Sequence, residues 1–179
     1  MLRDAGPLSH ARPSTVGRGA RRIHDVQPRA LGEIRMNPVD ASTLEMVAVS
    51  SPDDASIDWS GAFPFYGGHD AADTVVVPFS IAPGGHLGWH TDSLEETQYI
   101  IAGSGELQRD EGNAPVGPGS IFVLPKDTRH DLRNTGTVPL LAVAFFSGGE
   151  LTQTFDDVVR PTNTHLLASP NANGGARTR

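Results

Sequence analysis

Glycine and proline interrupt this chain so often, 20 and 14 times in 179 residues, that its apolar residues fall into short runs separated by turn formers. Such punctuation suits short strands joined by many turns better than long helices. The clearest run is residues 74–81, Thr-Val-Val-Val-Pro-Phe-Ser-Ile, β-branched and bounded by Asp73 before it and Pro83-Gly84-Gly85 after it. Pro78 lacks a ladder donor, which predicts an edge strand or a bulge there. Residues 44–49 read as a further edge strand, followed by turn chemistry at Ser51-Pro52-Asp53-Asp54. Residues 99–102 lead into a predicted hairpin turn at Gly103-Ser104-Gly105, with Glu106-Leu107-Gln108 continuing out of it. Leu140–Phe146 is nearly continuous in apolar residues, the pattern of a strand covered on both faces. The run from Trp59 to Gly68, aromatic and glycine-rich, is either a lid closing one end of the fold or part of a pocket wall.

Four residues within residues 84–134 could close around one metal ion: His90, Asp92, Glu96 and His130. Side chains alternate faces along a strand, so His90 and Asp92, roughly 7 Å apart along it, look the same way, and Trp89 and Thr91 look the other way. Glu96 follows a short turn, and His130 comes after a second strand-like run, residues 120–124. Gln98 shares the parity of Glu96 and is expected to point inward, toward substrate or a metal-bound water. His86 shares the parity of His90 but lies roughly 13 Å away along a strand, which predicts a place at the pocket mouth. Tyr99 and Trp89 are expected to face outward for packing or a subunit interface. Glu95 reads as a solvated turn acid, Asn134 as a turn former and Arg133 as external.

The spacing of these residues resembles the two signature motifs of the cupin superfamily. Gly84, His90, Asp92, Glu96 and Gly103 follow the first, with Asp92 where the family normally has a second histidine. Gly119, Pro125, His130 and Asn134 follow the second, with Asp127 in place of the usual glycine. The resemblance implies an all-β, single-domain cupin jelly-roll β-barrel over residues 36–160, with metal held inside by residues of the two motifs, and commonly a homodimer. Residues 1–35 are then a basic, disordered N-terminal extension and residues 161–179 a disordered tail.

Charge divides the chain at the same place. Residues 1–35 carry seven arginines against three acids, a net +4, whereas residues 36–179 carry −11. Met36 is a candidate natural start, with the leader an extension without a role. The acidic body lacks the basic footprint that nucleic acid requires. With no cysteine, any metal rests on imidazole and carboxylate. No apolar run suits a membrane span or a secretory segment, so the expectation is a soluble, cytoplasmic protein.

For Asp92 three arrangements stay open. It coordinates, giving two histidines and two carboxylates, a shell that formally cancels a divalent cation and favours Fe(II) or Mn(II) over Ni, Cu or Zn. Or it falls short, leaving His90, Glu96 and His130 as the triad and itself a general base. Or His90, Asp92 and His130 form the triad. The functional expectation is a metal-dependent enzyme acting on a small organic molecule, foremost an oxygen-dependent, dioxygenase-like oxidoreductase, with Asp92 and Gln98 as catalytic candidates. Isomerase, lyase or decarboxylase chemistry, or a binding module without turnover, are the alternatives.

Overall fold

A computed structural model of the chain describes residues 37–172; the basic segment 1–35 lies outside the described residues. After a single 3-10 turn at Ala41–Thr43 the chain is built from strands. These are β1 (Val47–Ser50), β2 (Asp58–Gly61), β3 (Tyr66–Gly67), β4 (Asp70–Ala71), β5 (Val75–Ile81), β6 (His90–Asp92) and β7 (Glu96–Ala102). There follow β8 (Gly105–Arg109), β9 (Ala114–Val116), β10 (Ile121–Leu124), β11 (His130–Asn134), β12 (Leu140–Phe146), β13 (Thr152–Val159) and β14 (Thr164–Ala168). Two six-stranded sheets result, ordered β1-β2-β5-β12-β7-β10 and β14-β13-β6-β11-β8-β9, with β3 and β4 as a separate short pair. The chain is thus all-β, and the hydrogen-bonded sheets do not close into a continuous barrel.

Alternation decides which side of each strand enters the core. On β5, Val75, Val77, Phe79 and Ile81 are buried while Val76, Pro78 and Ser80 are only partly so. The inward residues join Ile100, Leu140, Ala142, Ala144 and Phe146 from the first sheet and Leu107, Leu132 and Phe155 from the second in one apolar cluster. Each fully buried Val, Leu, Ile or Phe side chain contributes ~1.5–3 kcal/mol relative to exposure. Trp59 closes one side of the cluster, edge-on to Phe79, and its indole N–H donates to the Leu87 carbonyl at 3.0 Å.

The sheet order corrects four expectations. β5 is interior, between β2 and β12, although it carries Pro78. N–H and C=O of one strand residue point the same way, and the Pro78 carbonyl accepts from Ala62 at 3.2 Å. The missing donor therefore points to the β2 side, where that ladder has just ended at Gly61, and the β12 ladder is untouched. The turn at 103–105 is not a hairpin, because β7 and β8 belong to different sheets; it is a corner that carries the chain from one sheet to the other. β12 is covered on one face only: Leu141 and Phe145 are exposed. They continue across cross-strand rows, Val143 beside Tyr99 beside Ile121 and Phe145 beside Thr97 beside Val123, so the run is apolar because both faces are, not because both are buried. Finally, order does not stop at 160, since β14 pairs with β13. Short polar sequence at 161–164 hid a hairpin whose second strand reaches Ala168.

Candidate metal centre

Three strands and both sheets bring the four predicted ligands together. β6 supplies His90 and Asp92, both buried on one face as alternation predicts; β11 supplies His130, directly opposite His90 in the ladder; β7 of the other sheet supplies Glu96. The imidazoles lie with ring centroids 4.3 Å apart, and His90 stacks on Phe155 at 4.8 Å. Asp127 occupies the left-handed region, φ 60°, which aspartate tolerates. Its N–H donates to the Asp92 carbonyl at 2.9 Å, so the turn ahead of His130 is tied to β6 without a glycine.

Hydrogen bonding fixes how each ligand faces. His90 Nδ1 lies 2.7 Å from the Gly88 carbonyl and His130 Nδ1 lies 2.9 Å from the Thr128 carbonyl. A carbonyl only accepts, so both Nδ1 atoms carry the proton and, in the neutral rings, both Nε2 atoms present lone pairs. One oxygen of each carboxylate is held by a glutamine: Gln98 Nε2 donates to Glu96 Oε1 at 2.9 Å and Gln153 Nε2 to Asp92 Oδ1 at 3.0 Å. The other oxygens, Asp92 Oδ2 and Glu96 Oε2, and His130 Nε2 are buried without hydrogen-bond partners. They converge: Asp92 Oδ2 is 3.8 Å from His90 Nε2 and 3.6 Å from His130 Nε2, and Glu96 Oε2 is 3.4 Å from His130 Nε2. The last contact is too poorly aligned for a hydrogen bond, yet close enough for each charge to feel the other.

Orphaned, buried polar atoms of this kind are costly unless something fills the gap between them. His90, Asp92 and His130 each offer a ligand atom within 4.8 Å of the others, so this group could hold a metal ion, and Glu96 flanks it. Electrostatics reads the same way. Burial, then the negative charge of Glu96, pushes the Asp92 pKa up to about 7. Burial and the neighbouring His130 hold His90 well below its usual value. Burial lowers His130 too, but Glu96 and Asp92 outweigh it and the net shift is upward. A cation at the centre would reverse these penalties on the carboxylates.

Gln98, expected to face inward, does so and is fully buried, with Oε1 unpartnered. Gln153, directly opposite Asp92 in the β13–β6 ladder, was not legible beforehand. Nothing local marks it, and only the pairing of strands 61 residues apart reveals it. Trp89 and Tyr99 face outward as expected, Trp89 beneath the Arg129 guanidinium at 4.1 Å. Asn134 ties its turn through the Ile81 and Val138 carbonyls and the Gly136 N–H.

His86 is not at a pocket mouth. Gly88, at φ 95°, breaks the alternation between positions 86 and 90, and β6 starts only at His90. His86 is buried behind β11, with Nδ1 2.6 Å from Asp131 Oδ2 and Nε2 3.0 Å from Asp54 Oδ2. Burial pulls its pKa down, but the hydrogen bond and charge of Asp131, joined by Asp54, prevail and the shift is upward. A raised folded pKa means stabilisation that is complete below the unfolded value of ~6.5 and lost as pH rises through the folded value. The urea midpoint of the wild type should therefore exceed that of Asp131→Asn most at about pH 6. The gap should narrow on raising the pH, and an equal gap at high pH would count against this account.

Comparison with known proteins agrees with this architecture. Residues 78–146 match the family model described as a cupin domain. Protein SchB of Streptomyces halstedii is 37% identical over 59 residues, 32% of this chain and 43% of that protein, so the match spans less than half of the relative's length. Among solved structures, the polyketide cyclase RemF from Streptomyces resistomycificus is 20% identical, with 63% of this chain and 79% of that chain covered and a TM-score of 0.55. The sugar phosphate isomerase from a cupin superfamily of Silicibacter pomeroyi is 16% identical, covering 74% and 92%, with a TM-score of 0.56. At these identities the structural likeness speaks for the fold alone. The matched segment contains β6, β7 and β11, the three strands that carry the candidate ligands, so the part of the chain that holds the site is similar to a cupin domain.

Proposed function

We propose that this chain is a metal-dependent enzyme acting on a small organic molecule, with its two sheets forming the jelly-roll barrel of a cupin. The metal would be held by His90, Asp92, Glu96 and His130. One observation carries the reading: three buried polar atoms without partners, Asp92 Oδ2, Glu96 Oε2 and His130 Nε2, converge where both imidazoles turn their Nε2 atoms inward. Two imidazoles and two carboxylates suit Fe(II) or Mn(II) better than a softer ion. Bound there, such an ion supplies Lewis acidity and, as Fe(II), oxygen chemistry.

The chain's own residues define what happens around it. Gln98 and Gln153 clamp one oxygen of each carboxylate, fixing the direction of the other. Gln98 keeps its carbonyl Oε1 free to accept a hydrogen bond from a substrate hydroxyl. Asp92 Oδ2 is placed to take or return a proton if it does not coordinate. That last feature supports a second reading, proton-transfer chemistry of the isomerase, lyase or decarboxylase kind; a cyclase and an isomerase stand among the proteins of similar fold.

The test is metal binding followed over pH. Protons on Asp92 and His130 compete with the ion, so the apparent affinity for Mn(II) or Fe(II) should fall by more than about tenfold per unit on lowering the pH below ~7. A pH-independent affinity, or protein that takes no metal, sinks the metalloenzyme reading. Oxygen uptake by the Fe(II)-loaded protein on adding substrate separates oxidation from proton transfer, and binding without product identifies a non-enzymatic module.

A further inference from the structure

We infer that the molecule acted on is an uncharged or weakly acidic compound of about three fused rings, bound in the apolar cavity beside the centre. This deepens the function proposed above and rests on it. The cavity, about 470 Å³, lies against β1, β2, β5 and the β13–β14 hairpin. It meets the centre through shared walls: Trp59, Val77 and Gln153 line it, and the same three line the small void of about 20 Å³ that His90 and Glu96 border. Gln153 therefore borders both, with its amide on Asp92.

Size and chemistry of the walls select the ligand. An apolar cavity of ~150 Å³ takes one benzene, so this one takes about three rings. Trp59, Phe63 and Tyr66 line it with aromatic side chains, and Val49, Pro64 and Leu167 complete an apolar surround. Polar side chains are few: besides Glu45 there are Thr162, Tyr66 and His69, the last two stacked with centroids 4.9 Å apart, and Gln153 on the side toward the centre, enough to orient a hydroxyl or carbonyl at either end. Among the described residues lining the cavity there is no Lys or Arg, and Glu45 carries a negative charge. A phosphate or a dicarboxylate would find no Lys or Arg to pair with and would meet the Glu45 carboxylate. It would gain no net attraction from a centre whose two carboxylates formally cancel a divalent ion, so it would carry a large desolvation penalty. A flat, largely apolar molecule loses nothing comparable.

The test is calorimetric titration of the full chain, metal-free and metal-loaded, with 9-phenanthrol, phenol and glucose 6-phosphate. The three-ring probe should bind with a Kd on the order of 10 µM, phenol at least about tenfold more weakly, and glucose 6-phosphate without measurable heat. Leu167→Trp, which fills the wall two strands away from Asp92, should weaken 9-phenanthrol at least about tenfold while metal content is retained. If circular dichroism shows that this variant does not fold, Leu44→Asp, which adds a carboxylate at the rim, takes its place with the same expectation. Tighter binding of the sugar phosphate than of the ring compound, or undiminished ring binding in the folded variant, overturns the inference. A chain that loads metal but ignores 9-phenanthrol defeats this inference alone. A chain that binds 9-phenanthrol yet takes no metal defeats the metalloenzyme and leaves the cavity assignment standing.

Discussion

Replacing His130 by alanine should empty the centre while leaving the fold intact. His130 Nε2 is the atom that reaches both carboxylates, 3.6 Å from Asp92 Oδ2 and 3.4 Å from Glu96 Oε2, and its ring is aimed by the bond from Nδ1 to the Thr128 carbonyl. Loss of a supporting hydrogen bond to a ligand costs about 10–100-fold in metal affinity; loss of the ligand itself should exceed about 100-fold. Elemental analysis of protein purified without a chelator or a His tag should show metal in the wild type and almost none in His130→Ala. Asp92→Ala then decides the shell. If it too is empty, Asp92 coordinates; if it keeps its metal, the triad is His90, Glu96 and His130. Retention of metal by His130→Ala, with circular dichroism unchanged, would move the site elsewhere.

Much of the centre was legible because its ligands sit on short strands whose faces alternate. His90 and Asp92 could be put on one face, and Glu96 and Gln98 on another, from parity alone, and burial of all four agrees. Parity failed at His86 because it presumes an unbroken strand, and Gly88 at φ 95° ends that presumption two residues before β6. The partners that hold the ligands were legible only where they are local. Gln98 is two residues from Glu96, whereas Gln153 meets Asp92 through strand pairing across the whole second half of the domain. Sheet order was the least legible level. A proline in β5 and an apolar run in β12 each have two physical explanations, and which one holds depends on where the neighbouring ladder ends and on which sheet face is covered.

The corner between the two sheets yields the largest stability effect. Gly103 and Gly119 have almost the same backbone, φ 84° and 88°, so an alanine at either meets the same intrinsic penalty, ~1–2 kcal/mol. Their surroundings differ. A Cβ on Gly119 has nothing within 4 Å, whereas one on Gly103 would lie 2.6 Å from the Pro139 carbonyl oxygen and 2.7 Å from the Leu140 Cα. Those are backbone atoms at the entry to β12, which pairs with both β5 and β7, and they cannot swing aside as a side chain would. Gly103→Ala must therefore displace either the corner or the start of a central strand, and should cost about 3 kcal/mol or more. That is a large share of the ~5–15 kcal/mol that holds a domain together. Urea unfolding of the two variants side by side measures the difference: a midpoint much lower for Gly103→Ala than for Gly119→Ala is expected. Equal midpoints would mean that the corner relaxes freely, and then the passage between sheets does not depend on the close approach of Gly103 to β12.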